Sequence, residues 1–290
     1  MTRSLVTGGT GFIGRHLVKQ LTKKGHKVDT ISREMSIDIT SINSLKKYLK
    51  NKNYDYIFHF AAAPAQTDHL DSIEFKTNVI GTYNLLRIFR DRKFKGFINA
   101  GTSLEYDISN GKVKENMAPV PTLLHGGTKA AATMIATAFA YEFNLPIITV
   151  RPFSVYGPNE KRPRLVPVVI RAALSGEPLK IYPGVHDWIY IDDFVKATYQ
   201  LAKKAKRLKG QIFNVGTGIE TDNAALVSYV EKIMDTKIKK INVGKKYRPY
   251  DNTSHWVADI TKLKSIIKWE PISLEEGLRK TIESFSQTDF

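Results

Sequence analysis

The sequence predicts an α/β protein, a doubly wound parallel sheet with a smaller C-terminal lobe, and three observations predict it. Short apolar runs alternate with helix-length amphipathic segments through residues 1–150. A glycine-rich turn, Gly8-Gly9-Thr10-Gly11-Phe12-Ile13-Gly14, joins the first apolar run to the first amphipathic segment. After Arg151-Pro152 the alternation breaks, and Pro158, Pro163, Pro167, Pro178 and Pro183 punctuate shorter elements. Strand–helix alternation makes a parallel sheet covered on both faces, because each crossover carries its helix back over the sheet.

Taken in order, Leu5-Val6-Thr7 reads as the first strand and 13–23 as its helix. Strands follow at 27–32, 56–60, 96–99 and 146–150, with helices at 42–50, 73–90 and 127–143 between them. The last helix is alanine-rich (Ala130-Ala131-Ala132, then Ala136 and Ala140), which permits close packing. Residues 151–290 form mainly the smaller lobe, with segments returning to the sheet.

Composition narrows the function classes. A chain of 290 residues can bury one large domain, or a domain and a lobe. The absence of cysteine excludes disulfides, thiolate zinc sites and a cysteine nucleophile, and suits a reducing compartment. The glycine-rich turn follows the first strand too closely for a signal peptide, and no apolar run approaches the ~20 residues that span a bilayer. The expectation is a cytoplasmic protein with no membrane partner. The net charge of +16 would attract polyanions, yet the lysines lie on amphipathic stretches such as 46–50 and 203–207, where solvated helix faces explain them. No nucleic-acid partner is expected, although a small anionic ligand would gain from the field. His16, His26 and His69 have no metal-site spacing, so no metal is expected. His59 reads as the cap of a buried strand.

Gly9-x-Gly11-x-x-Gly14 between a strand and a helix is the dinucleotide-binding pattern of Rossmann-type sheets. Glycine permits the tight turn and lets backbone N–H groups reach a pyrophosphate at the helix's positive end. Gly8, Thr10, Gly11, Phe12, Ile13 and Gly14 are therefore candidate cofactor contacts, and residues 1–150 the dinucleotide-binding domain. A carboxylate about 20 residues later would bind the ribose diol of NAD, whereas arginine accommodates the phosphate of NADP. The second strand ends Ser32-Arg33, which tilts the cofactor slightly from NAD toward NADP.

At this point the chain resembles the extended short-chain dehydrogenase/reductase family of sugar-nucleotide epimerases, dehydratases and 4-ketoreductases. The likeness rests on Thr7 to Gly14, on Ile37-Asp38-Ile39-Thr40, on His59-Phe60-Ala61-Ala62 and on the run from Asn78 to Leu86. It continues through Arg151-Pro152-Phe153-Ser154-Val155-Tyr156-Gly157-Pro158, Asp187 to Asp193 and Phe213 to Gly218. The resemblance implies that Asp38 contacts the adenine end and that Ala61, Ala62 and Asn78 line the cofactor. It also implies hydride transfer to or from a carbon of a nucleotide-sugar substrate, and a homodimer formed through helices.

In such enzymes a tyrosine four residues before a lysine moves the proton, and a Ser or Thr hydroxyl binds the reacting oxygen. The resemblance assigns the lysine to Lys129, which would also hold the cofactor, and the hydroxyl to Thr102, with Ser103 as stand-in or substrate contact. The tyrosine position holds His125. Three readings are open. His125 replaces the tyrosine as a neutral base, its pKa lowered by Lys129. Alternatively, Tyr106 or another hydroxyl supplies the proton. In the third, the protein binds its ligands without turnover, as a regulator or scaffold.

Ser103-Leu104 stand where related 4,6-dehydratases carry Asp-Glu, so dehydration is not expected. The reactions left are 4-epimerisation, 4-keto reduction or alcohol oxidation. Asn159, Arg164 and Arg248 lie in segments that resemble those gripping a nucleotide diphosphate. Tyr156 and Trp188 read as core or cleft-wall aromatics.

Overall fold

Six parallel strands form the central sheet: β1 (Arg3–Thr7), β2 (Lys27–Ile31), β3 (Tyr56–His59), β4 (Gly96–Ala100), β5 (Ile147–Pro152) and β6 (Ile212–Val215). They lie in the order β2-β1-β3-β4-β5-β6. The structure is a computed structural model that describes residues 1–63, 73–106, 111–160, 164–245 and 255–285. The helices are α1 (Phe12–Lys23), α2 (Ile42–Leu49), α3 (Gly81–Phe89), α4 (Leu124–Glu142), α5 (Leu165–Ser175), α6 (Ile191–Ala202), α7 (Asn223–Met234), α8 (Thr261–Ile266) and α9 (Leu274–Phe285).

The sheet is covered on both faces, and the two-residue period of its strands shows how. Leu5, Ile57, Phe97 and Ile147 pack into one core with Leu85, Phe89, Ala136 and Ala140 of α3 and α4. Their neighbours Val6, Phe58, Ile98 and Ile148 pack into the other, with Leu17, Leu21, Phe194 and Leu201 of α1 and α6. Successive strand side chains point to opposite faces, so strands this apolar need a layer on each side.

Strand order reverses between β1 and β3, because β2 lies on one side of β1 and the later strands on the other. Connections leave the carboxyl ends of β1 and β3 in opposite directions, which opens a crevice there. Ile212–Val215, from the second half of the chain, returns to pair with β5.

Two elements differ from the sequence reading. The helix expected over 73–90 contains a widened π-helical turn, Phe75–Ile80, before α3. The helix expected over 127–143 begins at Leu124. Gly126 and Gly127 look like a boundary, but a Cβ on Gly126 would overlap the Leu104 carbonyl. Glycine there serves close approach inside the helix. As a result, His125 and Lys129 lie one turn apart on the same face of α4.

The segments after 150 are tied together by short ladders. Ser154–Tyr156 pairs with Trp188–Tyr190, and Leu179–Ile181 with Lys240–Asn242. Asp187, wholly buried, accepts from Thr217 N–H at 2.6 Å, Thr217 Oγ1 at 2.7 Å, Gly218 N–H at 2.9 Å and Ala258 N–H at 3.1 Å. Tyr156 and Trp188 are both core residues.

Candidate active site at the carboxyl edge of the sheet

The glycine-rich turn sits at the end of β1. Gly8 has φ +73°, and its N–H donates to the Ile31 carbonyl at 2.7 Å. A Cβ on Gly14 would overlap the Gly8 carbonyl, so α1 can start against the turn only because both residues are glycine. No side chain caps α1, and its first turn holds no acid. Its leading amides and positive end suit a diphosphate. Ala61 lies directly across from Gly8, its N–H donating to Thr7 Oγ1 at 3.2 Å, and Ala62 beside it is exposed. These residues fit a dinucleotide.

A cavity of 490 Å³ lies past the end of β2, lined by Arg33, Ser36, Ile37, Asp38, Thr40, Ile73, Lys76 and Thr77. Arg33, expected from its place after the second strand, and Asp38, expected from the family resemblance, share this pocket. Asp38 accepts from Thr40 N–H and Thr40 Oγ1, both at 2.8 Å, and Arg33 Nη2 donates to Thr77 Oγ1 at 3.1 Å.

Asn78 links the cofactor side to α4. Its Oδ1 accepts from Ala63 N–H at 2.9 Å, and its Nδ2 donates to Thr128 Oγ1 at 3.0 Å. Thr128 Oγ1 in turn donates to the His125 carbonyl at 3.0 Å. Lys129 is buried, and desolvation brings its ammonium down to about 8, with Glu105 opposing. Burial, assisted by the Lys129 and Arg164 cations, pushes His125 down to about 4. The imidazole is therefore neutral at pH 7.

Thr102 caps the turn Ser103–Glu105, which packs against α4. Glu105 Oε1 accepts from Thr102 N–H at 2.9 Å and from Thr133 Oγ1 at 3.0 Å. Its Oε2 pairs with Arg151 at 2.7 Å, and both side chains are almost wholly buried. Sequence reasoning missed this clamp. Its only local signal is the Thr-x-x-Glu spacing of a capping box. Ser103 is buried beneath the turn.

Tyr106 does not join the site. It is 2% exposed, its hydroxyl donates to Asn214 Oδ1 at 2.8 Å, and burial pushes its phenol up to about 12. His59 is structural, with Nδ1 2.7 Å from Thr7 Oγ1 and Nε2 2.9 Å from Thr82 Oγ1. His16 bridges α1 to the later segments, its Nε2 2.9 Å from the Pro158 carbonyl and its Nδ1 3.3 Å from Asp192.

Among the predicted substrate contacts, Asn159 is exposed in a left-handed turn at φ +65°. Arg164 stands at the N-cap position of α5 without a side-chain capping bond and is close enough to depress His125 electrostatically. Arg248 lies outside the described residues. Among the described residues, no group of three or more potential ligands could hold a metal ion, and no helix is long and apolar enough to cross a membrane.

The model of the NAD dependent epimerase/dehydratase family matches residues 4–216. The chain is 30% identical to a UDP-N-acetyl-α-D-glucosaminuronate decarboxylase of Bacillus cytotoxicus, over 99% of this chain and 98% of that protein. It is 27% identical to a dTDP-glucose 4,6-dehydratase of Xanthomonas campestris, over 98% and 93%. The solved UDP-glucuronic acid 4-epimerase of Bacillus cereus, in complex with UDP-glucuronic acid and NAD, superposes with a TM-score of 0.88 at 26% identity, covering 99% of each chain. The sheet order, the glycine turn and these matches agree, and the chain belongs to the NAD-dependent epimerase/dehydratase family.

Proposed function

We propose that this protein uses NAD or NADP to act on a nucleotide-activated sugar by hydride transfer, as a 4-epimerase, 4-ketoreductase or alcohol dehydrogenase, with His125 moving the proton. The observation that carries the reading is the neutral His125 one helical turn from buried Lys129, beside the Thr102 turn. A bound coenzyme, held by the glycine turn, Ala61, Ala62, Asn78 and Lys129, would supply the acceptor and donor for a hydride of the sugar carbon. Thr102 Oγ1 orients the reacting hydroxyl, and the imidazole accepts its proton. A base near pKa 4 is weak, but a hydroxyl becomes strongly acidic as its carbon loses hydride, so a weak base suffices. Reduction needs the imidazolium, present at only roughly one part in 10³ at pH 7. Epimerisation escapes that limit, because the proton taken in the first half-reaction is the one returned in the second.

Asn159, Arg164 and Arg248 are proposed to hold the nucleotide diphosphate, within a substrate lobe formed mainly by 151–290. Ser103-Leu104 argue against 4,6-dehydration. The relatives' structures contain NAD, while Arg33 and Lys76 beside the pocket tilt this chain toward NADP. A homodimer through α3 and α4 completes the proposal.

The test is a pH–rate profile with UDP-glucose and UDP-glucuronic acid, reading both reduced nicotinamide and epimer. Oxidation should stay level from about pH 7, below the titration of Lys129, to about 5 and fall below that as His125 binds its proton, while net reduction should rise. His125→Ala should lose a factor of ~10²–10⁴. Normal rates in that variant would sink the reading. Tight coenzyme binding without turnover of any sugar nucleotide would favour a regulator or scaffold.

A further inference from the structure

We infer that Glu74 is a positioning residue for His125, a buried carboxylate that keeps the imidazole proton on Nδ1 and so turns the Nε2 lone pair to the substrate. The inference rests on the reading of His125 as the proton-transfer group.

Glu74 precedes the π-helical turn Phe75–Ile80 and is 2% exposed. Its Oε1 stands 3.7 Å from His125 Nδ1. That nitrogen is sealed from solvent and makes no hydrogen bond among the described residues. The side chain is 16% exposed, so the accessible edge of the ring lies away from Nδ1. A shift of under ~1 Å would bring the pair to hydrogen-bond distance, and such contacts commonly tighten when substrate binds.

Among the described residues, the charged groups facing the ring come from three places. Lys129 lies one turn along α4, Arg164 at the start of α5 and Glu74 ahead of α3. The two cations disfavour the imidazolium. The carboxylate selects among neutral tautomers, since a buried N–H aimed at an acceptor is favoured over a lone pair aimed at an anion, a difference of ~1–3 kcal/mol. With Nδ1 protonated, the substrate O–H bond breaks, its proton passes to Nε2 and its electron pair closes the carbonyl bond as the C–H bond breaks, the hydride leaving to the acceptor that a bound nicotinamide would supply. The imidazolium formed then has a counter-charge at Nδ1, which the neighbouring cations would otherwise deny it.

This arrangement differs in kind from a tyrosine–lysine pair, in which the cation stabilises the deprotonated base. Here a cation alone would oppose the protonated base. A histidine at this position therefore needs an anion on its far nitrogen.

The test uses the full chain with ¹⁵N-labelled histidine and saturating NAD, with His125→Asn assigning the signal. Wild type should show the Nδ1–H tautomer for His125 at pH 7. Glu74→Leu should redistribute it, and kcat with UDP-glucose or UDP-glucuronic acid should fall ~10²-fold with KM changed less than ~3-fold. Glu74→Gln keeps an acceptor oxygen, so it should hold the tautomer yet lose rate, because the imidazolium has no counter-charge. An unchanged tautomer in Glu74→Leu overturns the inference. If His125→Ala is inactive while both Glu74 variants turn over normally, only the Glu74 role falls. If His125→Ala is fully active, the parent reading falls with it.

Discussion

Two histidines near the cofactor crevice show how much contacts decide at the scale of a residue. His59 has both ring nitrogens bonded to threonine hydroxyls, and burial holds it neutral, down to about 3. His125 is also neutral, but its Nδ1 faces a carboxylate and part of its ring faces solvent. The sequence alone told them apart only by spacing to Lys129. Glu74 was not legible, because its contact with α4 spans about fifty residues and depends on where that helix starts. The place of Arg33 was legible, since it follows the second strand at a set interval from the glycine turn. Its guanidinium lines the pocket beside Lys76, and a 2′-phosphate there would gain charge-assisted hydrogen bonds. Arg33→Ala should weaken NADP binding roughly ten-fold, with NAD affinity changed less than about two-fold. Equal losses for both coenzymes, by fluorescence titration, would remove Arg33 from cofactor choice.

At the scale of an element, the turn Ser103–Glu105 shows why the site is built on buried charge. Glu105 closes a capping box with Thr102, receives Thr133 from α4 and pairs with Arg151 of β5, so one carboxylate fixes three elements around Thr102. Arg151 also lies 4.3 Å from the Tyr106 ring centroid. The strands were readable because each is a short apolar run, and the Thr-x-x-Glu spacing marked the turn. The partner on β5 was not readable, since an arginine in a strand normally reads as a surface residue. Glu105→Gln leaves the guanidinium buried without its counter-charge and should cost ~3–5 kcal/mol in urea unfolding. It should also weaken turnover, because the unpaired Arg151 charge disturbs the turn that carries Thr102. A cost under ~1 kcal/mol would mean that Arg151 is held by other groups.

At the scale of the whole molecule, the fold leaves an apolar stripe on α4 that its own cores do not use. On α4, Met134 is 57% and Tyr141 60% exposed, with exposed Ala138 between them. Tyr83 of α3, 41% exposed, reaches the same patch through its edge contact with Phe139, 5.9 Å between ring centroids. Positions 134, 138 and 141 recur at helical spacing, so they form a stripe rather than scattered exposure. The sequence showed the small residues of this helix but not which side faces out. That follows only once α4 packs against the sheet through Ala136 and Ala140. A second copy offers the same stripe, and a two-fold pairing of α3 and α4 would bury both. Each copy carries a net charge of +16, so like-charge repulsion opposes pairing and salt should relieve it. Light scattering at micromolar concentration should give twice the chain mass, with the dimer tightening as salt rises. Met134→Glu with Ala138→Glu places four acids at the two-fold contact and should yield a monomer that still binds coenzyme. A wild type that stays monomeric at high salt, or a charged variant that still pairs, would show that this face serves something else.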